Sequence, residues 1–324
     1  MSAVSAPQLR PYSSLFPTGR SPSPNPPPAR TKRTDAPAVN RALSMRYRHY
    51  LERLDHPQPI VRAVASRVTP SSASPSRFVI LATQRTGSTW LTGMLDSHPA
   101  IASYEELFLP ADEDRRSWGP ADQEFFDNYY RRHAKHKLPL ARSFWALKYL
   151  NALYAPRPAT DAVGMKLMYS QLKERPWLLA YMVLRRIRVI HLVRTNVLDV
   201  ILSGETAKAR NQYHALASDK VAPSAVTLPA ERLVADIESL QQSVDSIRLL
   251  LRLLPLSSVE VSYEELTRDE AAFSPLFALL GVEPRSLASR FAKLNRAPKT
   301  ELIANYADVE RVLKGTRFES FLTT

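Results

Sequence analysis

Short apolar runs rich in β-branched residues recur along this chain, separated by longer stretches of helical periodicity. The runs Phe78–Ala82, Ile101–Tyr104, Val163–Met168, Arg188–Val193 and Val259–Ser262 predict strands. Between them, spacing of apolar positions by three or four residues predicts helices at about 88–97, 120–135, 171–186, 196–210, 229–252 and 272–281. Strands that are apolar at consecutive positions are buried on both faces. The alternation therefore predicts an α/β fold: a single P-loop-like domain with a central, mostly parallel sheet flanked by helices. No internal repeat is visible. No run of about 18 uninterrupted apolar residues occurs, so no membrane span is expected.

The N-terminal part has a different pattern. Residues 1–40 hold nine prolines, serine-rich runs and scattered Arg and Lys, with Asp35 as the one acidic residue. Such a stretch buries too little apolar surface to offset its ordering entropy, and a disordered tail is expected. It lacks the apolar segment of a secretory signal. Its Arg-rich, Ser-rich composition matches organelle transit peptides, but the prolines oppose the amphipathic helix those peptides form. A cytoplasmic location is expected, with an organelle as the alternative. Residues 41–66 read as helical and 70–76 as a Ser/Pro linker, so the expected division is 1–40 tail, 41–76 helix and linker, and 77–324 domain.

Charge narrows the partners. The net charge of +13 and a pI near 10.0 imply attraction to an anion: nucleic acid, acidic lipid or a polyanionic small molecule. Nucleic-acid binding would require basic residues clustered on one element with interleaved aromatics. Apart from "YMVLRRIR" and "YRRHAKHK", the basic residues are dispersed, so no nucleic-acid partner is expected. The absence of cysteine excludes disulfides and thiolate chemistry. The histidines are scattered, and no metal site is expected.

The stretch "FVILATQRTGSTWLTGML" (78–95) reads as strand, polar turn and helix start. Free amides and the positive dipole end of a helix at such a turn attract an oxyanion. Gly87 permits close backbone approach. Ser88 and Thr89 can cap the helix or donate hydroxyl bonds, and Arg85 offers a planar cation suited to a tetrahedral anion. The lysine-bearing G-x-x-x-x-G-K-[ST] loop of ATP and GTP sites is absent.

"TQRTGSTWL" resembles the 5′-phosphosulfate loop of the sulfotransferases that use 3′-phosphoadenylyl sulfate (PAPS), in their bacterial and carbohydrate-type branch. The resemblance implies that Arg85, Thr86, Gly87, Ser88 and Thr89, with Trp90 next to them, hold the 5′-phosphosulfate. Arg85 then replaces the lysine of the cytosolic branch and is also a catalytic candidate. "VIHLVRTNVLDVILSGETAK" (189–208) resembles the 3′-phosphate motif, with Arg194 at a strand end and Ser203 in the following helix. The common form is R-[DN]-P with serine eight residues on. Here Thr195 and Asn196 follow the arginine, and the interval is nine. Lys208 is a further cation one turn beyond.

The family places a general base after the second strand, where this chain reads "YEELF". Glu106 matches the bacterial E-[LYF]-F pattern, and Glu105 matches the Golgi-type one. His98 before Pro99 reads as a helix-end cap rather than a base. Lys166, inside a central strand, is a candidate for reaching the leaving phosphate or the acceptor. Lys314 and Gly315 resemble the basic-Gly segment that closes over the 3′-phosphate, and Arg115, Arg116 and Trp118 are candidates for contacting an acceptor. "VGMKLMYSQL", "VEVSYEEL" and the C-terminal "KTELIANYADVERVLKGTRFESFL" extend the resemblance over about 77–322. It implies metal-independent sulfuryl transfer to a hydroxylated small molecule, sugar or glycolipid. A P-loop nucleotide kinase and a non-catalytic anion-binding domain of the same fold are the alternatives.

Overall fold

The computed structural model describes residues 75–109, 120, 122–134, 139–210, 225–288 and 297–323. The tail, helix and most of the linker expected at 1–76 lie outside the described residues, as do Arg115, Arg116 and Trp118. All described residues belong to the unit Gln58–Thr324.

In chain order the elements are β1 (Ser76–Ala82), α1 (Ser88–Asp96), β2 (Ile101–Tyr104), α2 (Phe126–His133), α3 (Pro139–Leu153) and β3 (Ala162–Met168). There follow α4 (Tyr169–Glu174), α5 (Trp177–Leu184), β4 (Arg188–Val193), α6 (Val197–Arg210), α7 (Ala230–Leu253) and β5 (Ser258–Ser262). The chain continues through α8 (Tyr263–Arg268), a 3-10 turn (Glu270–Phe273), α9 (Ser274–Leu280), α10 (Lys299–Leu302), α11 (Tyr306–Leu313) and a last 3-10 turn (Glu319–Leu322).

The five strands form one parallel sheet in the order β2-β3-β1-β4-β5. β1 is its centre: Ile80 sits opposite Lys166 of β3 and Ile190 of β4. The connection from β1 to β2 runs toward one edge of the sheet and that from β3 to β4 toward the other. Such a reversal opens a crevice at the carboxyl ends of the strands.

Alternate strand positions supply two cores. Val79, Leu81, Tyr104, Met165, Leu167 and Val189 face α3, α4 and α5. Phe78, Ile80, Ala82, Ile190 and Leu192 face α1 and α9 through Leu91, Leu95, Leu276 and Phe277. A third cluster joins α6, α7 and α11 through Leu198, Leu233, Ile237, Val309 and Leu313.

Every expected strand is present, with ends within two residues. The helix expected at 171–186 is two helices, because Pro176 disfavours helical backbone at Arg175, which takes φ −129° and ψ 65°. Helix α2 begins at Phe126 rather than near 120. Helix α3 was not among the expected elements: Phe144, Trp145, Leu147, Leu150 and Leu153 lie on all sides of it, leaving no single apolar stripe to read.

Candidate functional site

β1 delivers the polar loop at the centre of the crevice. Thr86, almost fully buried, ties the loop down by donating from Oγ1 to the Thr83 carbonyl (2.8 Å). Two positive φ values follow, 65° at Arg85 and 84° at Gly87. The first is unusual for a residue with a side chain. Gly87 is needed twice over, since a Cβ there would also collide with the Tyr263 ring. Gly87 is the N-cap of α1, and no side chain caps that helix. The expected capping by Ser88 or Thr89 is therefore absent. Both residues are buried inside the first turn, and Thr89 Oγ1 instead accepts from Lys166 Nζ (2.7 Å). The amides at the start of α1 keep their capacity for an anion.

Three sequence candidates converge at Arg85. Its Nε donates to Ser203 Oγ on α6 (3.1 Å), and its carbonyl accepts from Arg194 Nη1 at the end of β4 (3.3 Å). Arg194 is only 9% exposed and is hemmed in by carboxylates. Its Nη2 donates to Asp199 Oδ2 (2.8 Å), and its Nε lies 3.5 Å from Glu264 Oε1. These two buried atoms, Arg194 Nε and Glu264 Oε1, have no hydrogen-bond partner among the described residues. The guanidinium also sits 5.0 Å from the centre of the Tyr263 ring, and Lys299 Nζ approaches Asp199 (3.3 Å).

A second polar group lies beside the loop. Lys166 points from β3 toward α1 and touches Thr89, Glu105 and Glu106, with Glu106 Oε1 at 3.3 Å. Burial alone would lower its pKa; the two carboxylates outweigh that and hold the ammonium above its usual range. The two glutamates differ in access. The Glu105 side chain is 4% exposed, and its backbone amide donates to Gln123 Oε1 (3.0 Å). Glu106 is 19% exposed, and its Oε2 accepts from Gln171 Nε2 (3.0 Å). Lys166 thus links both carboxylates to the first turn of α1.

Residues 76–283 match the model described as the Sulfotransferase family. The chain belongs to the sulfotransferase family. It is 26% identical over 258 residues to nodulation protein H of Rhizobium tropici, covering 78% of this chain and 94% of the relative. It is 24% identical to nodulation protein H of Rhizobium meliloti strain 1021 over 257 residues, 75% of this chain and 93% of the relative. Among solved structures, a sulfotransferase from Alicyclobacillus acidocaldarius is similar at 15% identity and a TM-score of 0.39, covering 78% of this chain and 97% of that one.

In this sulfotransferase the remaining sequence candidates fall outside the two groups. His98 is buried just past the end of α1, but its ring caps no carbonyl of that helix: Nδ1 accepts from Ala100 N (3.1 Å) and Nε2 lies 2.9 Å from the Glu283 carbonyl, while the Ser97 backbone amide closes α1. Trp90 packs edge-on against Tyr263 (5.4 Å) and near Phe273, bracing the ring that covers Gly87. Lys208 pairs with Glu205 on the exposed side of α6. Lys314 is exposed beyond α11, and Gly315, at φ 73°, donates its amide to Glu319 (2.9 Å). This C-terminal segment packs onto α6 through Leu313 and Phe318, and the Phe321 carbonyl accepts from Asn196 (2.9 Å).

Tyr263, Glu264, Asp199, Gln123 and Gln171 join these groups without standing out in the sequence. A signal existed for the first two: Ser262 and Glu265 form a reciprocal capping box that starts α8 directly after β5 and brings Tyr263 and Glu264 to Arg194. Among the described residues no group of three or more His, Asp or Glu could hold a metal ion, and no helix is long and apolar enough to cross a membrane.

Proposed function

We propose that this protein is a PAPS-dependent sulfotransferase that moves the sulfuryl group to a hydroxyl of a small-molecule, sugar or glycolipid acceptor. The observation that carries the reading is the convergence of Arg85, Ser203 and Arg194 beside the uncapped start of α1. Together they form an anion site with two cationic subsites and no nucleotide-loop lysine.

The donor supplies an activated sulfuryl group. Its S–O bond to the phosphate breaks as a bond to the acceptor oxygen forms, through a loose transition state that rewards positioning and charge stabilisation. In this reading Arg85 and the amides of Gly87, Ser88 and Thr89 hold the 5′-phosphosulfate and take up the charge growing on the leaving phosphate. Ser203 and Arg194 hold the 3′-phosphate, with Lys314 and Gly315 as the segment that covers it. Arg194 Nε is buried and makes no hydrogen bond, only a 3.5 Å ion pair with Glu264, which supports this assignment, because a ligand oxygen would complete the donor.

The acceptor proton goes to a carboxylate. Glu105 is enclosed and engaged by Lys166, whereas Glu106 keeps an accessible edge, which favours Glu106 as the general base. Lys166 and Gln171 then act as positioning residues that fix the Glu106 carboxylate. A cytoplasmic location and the division 1–40, 41–76 and 77–324 belong to the same proposal.

The test is transfer of label from sulfur-labelled PAPS into a metabolite extract. A labelled product made by the wild-type chain, and lost in Glu106→Gln, is expected. Donor binding without any transfer would leave an anion-binding domain instead.

A further inference from the structure

The edge of the sheet opposite the crevice carries an unused surface. β4 and β5 start side by side: Val189 faces Ser258, and Val189 N donates to the Ser257 carbonyl (2.9 Å). Helices α5 and α7 lead into these two strands, so their C-terminal ends open onto the same edge.

Both ends present leucine to solvent. Leu184 is 81% exposed, Leu249 57% and Leu253 74%, and these make up three of the five strongly exposed large apolar residues among the described ones. They do not belong to the buried faces of their helices, which Met182, Ile187, Leu250 and Leu251 supply to the core. Leu249 and Leu253 stand one helical turn apart, on a second face that is exposed among the described residues.

Arginines follow Leu184 directly along the chain. Arg185 and Arg186 are exposed, and residues 176–189 and 246–259 contain no acidic residue. The nearest carboxylates along the chain are already engaged: Asp245 pairs with Arg248, and Glu260 pairs with Arg248 and His191. Glu283 follows α9, in the layer on the other side of the sheet. The tip of α5 is also built in an unusual way. Arg186 takes φ 51°, a left-handed position that glycine normally fills, and the turn closes with Arg186 N on the Val183 carbonyl and Ile187 N on that of Met182. An arginine is held at some conformational cost where a glycine would close the helix more easily.

Leucines that can enter an acyl boundary, with the neighbouring Arg185 and Arg186 guanidinium groups that bind phosphodiesters bidentately, match an anionic bilayer surface. A second copy of this chain fits worse, because a two-fold contact would set these arginines against their own counterparts. We propose that this edge docks the protein peripherally on an anionic membrane. The crevice lies at the other end of the strands, so the docked protein keeps it open to water. The proposal is independent of sulfuryl transfer.

The test is sedimentation of the full chain with vesicles of phosphatidylcholine alone or mixed with phosphatidylglycerol. Binding to the anionic vesicles only is expected, at least tenfold weaker in Arg185→Glu/Arg186→Glu and in Leu184→Ser/Leu253→Ser. A charge-matched control on other surfaces, Arg131→Glu/Arg311→Glu, should bind like the wild type. Thermal midpoints and affinity for 3′-phosphoadenosine 5′-phosphate should not change in any variant. Absence of binding, or equal loss in the control, overturns the proposal. So does a wild-type dimer that ignores vesicles and dissociates in the leucine variant, which would assign the face to a second copy.

Discussion

Arg85 Nε donates to Ser203 Oγ at 3.1 Å, joining the loop after β1 to the helix after β4 across 118 residues of sequence. The hydrogen bond makes the two proposed anion subsites one unit. Replacing Arg85 or Ser203 by alanine should each weaken binding of 3′-phosphoadenosine 5′-phosphate, by roughly 10- to 100-fold for the charged partner. The double variant should lose less than the product of the two effects, because the residues share a contact. Calorimetric titration of the four proteins measures this.

Arg194 shares its charge with Asp199 and Glu264. A phosphate arriving there meets two carboxylates as well as the guanidinium and Lys299. Removing one negative charge by Glu264→Gln should therefore tighten phosphate binding, by about fivefold, on the order of 1 kcal/mol for a partly screened pair. Unchanged or weaker binding of 3′-phosphoadenosine 5′-phosphate would place the 3′-phosphate elsewhere.

The two adjacent glutamates should separate cleanly. Glu105→Gln leaves the buried Lys166 ammonium short of its enclosed partner and should destabilise the fold by about 3–5 kcal/mol in urea titration. Glu106→Gln should leave stability and donor affinity near wild type while lowering transfer by roughly 100-fold or more. The reverse pattern would make Glu105 the base.

On the opposite face of the sheet, the Tyr169 hydroxyl lies 2.5 Å from His191 Nε2, and Glu260 holds His191 Nδ1 and Arg248. Burial would raise the Glu260 pKa, but hydrogen bonds from His191 and Arg248 outweigh it and lower the value from 4.5 to about 2. A depressed carboxylate pKa contributes stability that is present above pH 4.5 and lost as the pH falls toward 2. The thermal midpoint of the wild type should drop across that window, and the drop should be shallower in Glu260→Gln.

Much of this architecture was legible because each strand is a short, mostly apolar run followed by a polar turn, even where Lys166, His191 and Glu260 interrupt it. Phe78–Ala82 followed by Arg85 and Gly87 announced an element and a candidate anion site. Arg194 and Ser203 were legible as a pair, but their meeting point was not: that they converge on Arg85 depends on β4 lying beside β1, which periodicity does not encode. The engagement of Arg194 by Glu264 depends on β5 pairing with β4 and on the short helix that Ser262 and Glu265 cap. The contact between Lys166 and the glutamates likewise needed the order of the strands. Helix α3 escaped notice because tertiary packing, not an apolar stripe, holds it.

The most direct measurement is calorimetric titration of the wild-type chain with 3′-phosphoadenosine 5′-phosphate in the presence of a chelator. Saturable one-to-one binding without divalent cation is expected, weakened at least tenfold in Arg194→Ala and for adenosine 5′-phosphate, which lacks the 3′-phosphate. No binding, binding that requires magnesium, or equal affinity for the two nucleotides would contradict it.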